Sequence, residues 1–134
     1  MNYQQFLKVS AERINSLPMF FAFSDAQFAE GMAKIGLAAD DFKAIYKLGS
    51  GGFMKKTDSH LLEAVLEANE RDRKAVIADD KELLAAIVYE LGNHEFCITG
   101  DPEPTCSALD VDLNDERIAR LFKEAKAEYW RQQE

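Results

Sequence analysis

The chain has 134 residues, 47% hydrophobic and 30% charged, which is the balance of a packed globule long enough for one buried core. Its net charge of −8, from 24 acidic and 16 basic residues, disfavours direct binding to a phosphate backbone. No apolar run approaches the roughly 20 residues of a membrane helix, and no basic flank leads into an apolar signal core. The expectation is a single cytoplasmic domain over residues 1–134, without a membrane partner. Its two cysteines, Cys97 and Cys106, are too few to staple a small secreted fold and are expected to be reduced.

Tyr3, Phe6, Leu7, Ala11 and Ile14 recur at helical spacing and Pro18 ends the run, so a helix is predicted over 3–15. The dense apolar run Met19 to Phe23 reads as a short strand. Ser24 and Gln27 form a capping-box pattern that opens a second helix, and Gly36 before Leu37 suits its left-handed cap. Asp40 or Asp41 is expected to cap a short third helix carrying Phe42, Ile45 and Tyr46, which Gly49-Ser50-Gly51-Gly52 ends. Phe53 to Lys56 then pairs with Met19 to Phe23 as a ribbon, stable only when packed on helices.

Thr57 or Asp58 caps a longer helix predicted to turn Leu61, Leu62, Val65 and Leu66 inward. Glu67 with Arg71 and Glu70 with Lys74 would pair on its exposed face. Asp79 or Asp80 begins the most apolar helix, with Leu83, Leu84, Ile87, Val88 and Leu91, expected to run through Gly92 to about Phe96. Asp101 before Pro102 opens a short helix reaching Leu109. Asp112 or Asn114 opens the last helix, striped by Ile118, Leu121, Phe122, Ala125 and Tyr129. The expected fold class is mainly α (α+β): a compact bundle of about six helices with at most a small two-stranded β ribbon.

Reactive side chains crowd between Tyr89 and Asp101. Cys97 as thiolate, His94 as its base and Asp101 or Glu95 as the orienting acid would make a nucleophilic site, but neighbouring positions in sequence do not supply that geometry. On a continuous helix His94 would border the apolar face and Cys97 would act as a small buried hydrophobe. His60, His94, Cys97 and Cys106 have the count of a zinc site and lack its paired-cysteine spacing. Gly49 to Thr57 imitates a phosphate loop, yet Met54 and Lys55 stand where that loop needs Gly and Lys, so a tight turn into a strand is the simpler reading. Asp110, Asp112 and Asn114 match early calcium-loop positions, but Asp115 and Leu121 break the pattern. No cofactor is expected, and an enzyme is disfavoured.

Two surfaces stand out. Asp101, Glu103, Asp110, Asp112, Asp115 and Glu116 occur without a Lys or Arg until Arg117. They read either as helix caps or as a protein-binding face whose carboxylates imitate phosphates. Phe20, Phe21 and Phe23, with Tyr129 and Trp130, offer aromatic anchors for a protein partner or for self-association, since nine Phe are many for one small core.

Phe20-Phe21-Ala22-Phe23-Ser24, Gly51-Gly52-Phe53, Tyr89-Glu90-Leu91, Asn93-His94-Glu95 and Ile98-Thr99-Gly100-Asp101 together resemble a group of small uncharacterised proteins from gut bacteria and their mobile elements. The likeness spans most of the chain and implies an origin rather than a chemistry, because the group has no established activity, cofactor or catalytic residues. The expected function is a non-enzymatic accessory or interaction protein that binds a protein partner. One alternative is an anti-defence inhibitor that blocks a nucleic-acid groove with its acidic face. Another is a small enzyme or metalloprotein centred on His94.

Overall fold

A computed structural model describes residues 1–134. Seven α-helices and three short strands follow in the order α1 (Tyr3–Asn15), β1 (Met19–Phe21), α2 (Asp25–Lys34), β2 (Ile45–Lys47), β3 (Gly52–Lys55), α3 (Ser59–Ile77), α4 (Asp80–Asn93), α5 (Phe96–Thr99), α6 (Glu103–Leu109) and α7 (Glu116–Gln132). The chain gathers into two compact units, a helical unit of residues 1–8 and 70–134 and a sheet unit of residues 9–69. The mainly α expectation holds.

In the helical unit, α4 packs along α7 and against α5 and α6. Leu83, Ala86, Ile87 and Leu91 lose all solvent exposure on α4, and Leu121, Phe122, Ala125 and Tyr129 are buried on α7. The predicted apolar stripes are therefore the packed faces, each large aliphatic side chain contributing about 1.5–3 kcal/mol of burial. Side-chain caps fix the helix starts. Asp79 accepts from the Glu82 N–H at 3.0 Å and Asp115 from the Ile118 N–H at 3.1 Å. The last helix thus opens at Asp115, one residue beyond Asn114, while Asp112 closes its own turn by accepting from the Asn114 N–H at 2.9 Å. Arg117 donates to the Ile77 and Ala78 carbonyls at 2.7 and 3.1 Å, satisfying orphan groups at the end of α3.

The most apolar helix does not run to Phe96. It ends at Asn93, with His94 as its cap, and Glu95 takes a left-handed conformation at φ 54° before the separate short helix α5. Gly92 stays inside α4, so the reversal comes three residues later than the glycine suggests.

In the sheet unit the order is β1-β3-β2 with both pairings antiparallel. The expected pairing of β1 with β3 is present, narrowed to Met19–Phe21 against Gly52–Lys55, and a third strand joins it. Instead of a third helix, Phe42–Ala44 makes one tight turn and Ile45–Lys47 pairs with Phe53 to Lys55. Phe42, Ile45 and Tyr46 fit helical spacing, but a β-branched residue beside an aromatic favours a pleated surface, and β3 supplies the ladder. The glycine segment is a turn into β3, with Ser50 left-handed at φ 61°. On α2, Ser24 caps the Gln27 N–H at 3.2 Å, while Gln27 reaches back to the Phe23 N–H at 2.8 Å, one residue earlier than a capping box requires. Gly36 takes φ 80° after the helix, as its cap requires.

On α3, Leu61 and Leu66 are exposed at 39% and 52%, contrary to the inward face expected for them. The half-buried stripe instead runs through Leu62, Val65 and Asn69, and Asn69 accepts from Arg13 at 3.1 Å. Glu70 approaches Lys74 at 3.7 Å as expected, yet its main partner is Arg73, at 2.6 and 3.0 Å. Arg71 stands beside Asp72 rather than Glu67.

Candidate binding site

The sheet unit carries an aromatic cavity of about 520 Å³, within the range of small ligand sites. Phe23, Phe28, Phe42, Ile45 and Phe53 line it, and Ser24, Asp25 and Lys47 supply polar groups. Its floor follows from strand alternation. Phe20 and Phe53 face each other across β1 and β3, as do Lys47 and Phe53 across β2 and β3, so these side chains share one face of the sheet.

Phe28 of α2 anchors this face, with ring centroids 5.1 Å from Phe53, 5.8 Å from Phe20 and 5.8 Å from Phe42. The helix can come close because position 31 is glycine. A Cβ there would stand 2.0 Å from the Phe20 ring. Phe23 lies over Gly51, where a Cβ would meet its ring at 2.6 Å, yet the side chain is 79% exposed. Phe42 is 64% exposed, Phe21 57% and Tyr46 48%. The aromatic run is thus split, with Phe20 in the core and Phe21 and Phe23 in solvent.

The residues around His94 do not converge. His94 Nε2 lies 3.2 Å from Glu90 Oε2 on its own helix, close enough for an ion pair but not aligned for a hydrogen bond. Glu90 is the buried member, receiving the Tyr3 hydroxyl at 2.6 Å and Asn93 Nδ2 at 3.3 Å. Burial first, and then the Glu90 carboxylate, push the Tyr3 hydroxyl well above its ordinary value of 10.0. Cys97 is exposed rather than buried, and its backbone N–H donates to the Tyr129 hydroxyl at 2.9 Å. Ile98, four residues beyond His94, is 77% exposed. Asp101 accepts from the Glu103 N–H at 3.0 Å. Burial raises the thiol of Cys106, and both cysteines are free. No three His, Cys, Asp or Glu side chains gather into a metal-binding group.

The acidic segment is largely occupied with local structure. Asp101, Asp112 and Asp115 each accept a backbone N–H, Glu103 accepts from the Ser107 hydroxyl at 3.0 Å, and Asp110 is a left-handed helix cap 3.4 Å from Arg73. Glu116 begins α7 in its first turn, where a negative charge suits the helix dipole. Of the aromatic anchors near the C-terminus, Tyr129 is buried and Trp130 is 46% exposed.

Residues 2–128 match the model of a family of unknown function (DUF7659), and the chain belongs to that family. No curated protein and no solved structure matches it. No helix is long and apolar enough to cross a membrane.

Proposed function

We propose that the protein is a non-enzymatic interaction module that binds a protein partner through the aromatic cavity of its sheet unit. The observation that carries this reading is the exposure of Phe23 and Phe42, at 79% and 64%, on a concave lining anchored by Phe28 and Phe53. Leaving large rings in water forgoes burial that the fold would otherwise gain, and such clusters anchor protein interfaces. The acidic face supports partner binding less well, because most of its carboxylates already cap helices or pair within the chain.

The test is affinity capture from the native host with three baits: wild type, a Phe23→Ser/Phe42→Ser double variant, and an Asp110→Lys/Asp112→Lys double variant. Loss of a stoichiometric partner with the first variant and its retention with the second supports the reading. The reverse pattern transfers the function to the acidic face and favours a groove-blocking inhibitor.

A further inference from the structure

Resting on the cavity as the binding site, we propose that β2 accepts an acidic, extended segment of a partner protein as an added strand, with alternate apolar side chains seated in the aromatic cavity. The geometry begins with the free edge. In the order β1-β3-β2, the strand β2 pairs on one side only. The Leu48 N–H donates to the Gly52 carbonyl at 2.7 Å, which makes Leu48 and Gly52 a hydrogen-bonded pair of the antiparallel ladder. Hydrogen-bonded pairs alternate, so Tyr46 and Met54 form the next one, and the backbone N–H and C=O groups of Ile45 and Lys47 point outward. The side chains of those same two residues line the cavity. An added strand would therefore find its backbone partners and its pocket together, as in strand-addition recognition.

Charge selects the occupant. From Phe42 to Thr57 the chain carries four lysines, Lys43, Lys47, Lys55 and Lys56, and no acid, within a protein of net charge −8. Asp25 is the one carboxylate in the lining, at the first turn of α2 where the helix dipole opposes its charge. A second copy of the chain would bring two such lysine segments together at the edge, which blunts self-pairing. Single-stranded nucleic acid also seeks aromatic rings among lysines, but it has no use for an open strand edge and would meet the repulsion of the whole chain.

The test uses the full-length chain labelled with nitrogen-15 and four probes. These are a hexapeptide alternating aspartate with phenylalanine, the same peptide N-methylated at alternate backbone nitrogens, its lysine-for-aspartate counterpart, and a uridine octanucleotide. The parent peptide is expected to shift cavity resonances and to slow hydrogen exchange at the amides of Ile45 and Lys47. N-methylation and lysine substitution are each expected to weaken binding by about tenfold, the equivalent of one or two net hydrogen bonds. Lys47→Glu should weaken the parent peptide and spare the lysine peptide. Equal binding of parent and N-methylated peptides at the cavity overturns strand addition and leaves the binding-module reading intact. Failure of every peptide to shift a cavity resonance removes both. Tighter binding of the octanucleotide at the same residues overturns the proposed partner class.

Discussion

The helical unit and the sheet unit spend their apolar residues differently. The first hides its stripe completely, with Leu83, Ala86, Ile87, Leu91 and Ala125 at 0% exposure, and surrounds its one buried carboxylate, Glu90, with donors. The second buries Phe20, Met32 and Met54 but leaves Phe21, Phe23, Phe42 and Tyr46 in water. On the proposed reading the contrast separates two roles: stability is concentrated where the packing is closed, and recognition is assigned to Phe23 and Phe42, the open rings that line the cavity.

The largest effect should come from the closed region. Ile87→Ala removes a fully buried side chain and is expected to cost about 2–5 kcal/mol in denaturant unfolding, whereas Phe23→Ser should change stability by less than about 0.5 kcal/mol. Comparable losses at both sites would break the division of roles.

Next comes Tyr3→Phe, which strips the buried Glu90 carboxylate of its closest donor and should cost about 1–3 kcal/mol. The same bond predicts an alkaline limb. The folded hydroxyl holds its proton above its ordinary value of 10.0, so the stability it contributes is present in full below about pH 10. That contribution is lost as pH rises toward the folded value, because the unfolded chain then releases a proton that the folded chain keeps. Unfolding midpoints measured from pH 8 to 11 should fall at the alkaline end in the wild type and less steeply in the variant.

Two glycines sharpen the comparison with opposite signs. Gly92→Ala meets no atom within 4 Å and should stabilise α4 by about 1 kcal/mol through helix propensity. Gly31→Ala gains the same propensity but drives its methyl into the Phe20 ring, an overpacking cost of about 1–3 kcal/mol that outweighs it. Thermal melts of the two variants should move in opposite directions. The smallest effect is chemical. Under native conditions one thiol, Cys97, should react quickly with a thiol reagent while the buried Cys106 waits for unfolding, and peptide mapping of the adducts identifies which reacted.

Much of the helical unit was legible in sequence, because stripes of period 3.6 at Leu83 to Leu91 and at Ile118 to Tyr129 can be buried in only one way. The capping acids were legible for the same local reason, to within a residue. The end of α4 was not, since Glu95 rather than Gly92 takes the left-handed turn, a position few side chains other than glycine adopt readily. β2 was missed because three residues are too short to distinguish strand alternation from helical spacing, and its formation depends on β3. The cavity escaped for a related reason. A dense run such as Met19 to Phe23 reads as uniformly buried, and only pairing decides which rings face inward. One signal was present in the chain: four lysines and no acid between Phe42 and Thr57, within an otherwise acidic protein.

The most direct measurement is photo-crosslinking in the native host with a benzophenone amino acid placed at position 42 in one protein and at position 112 in another. The cavity account predicts a discrete adduct with a partner protein from position 42 and none from position 112. An adduct from position 112 alone would contradict it.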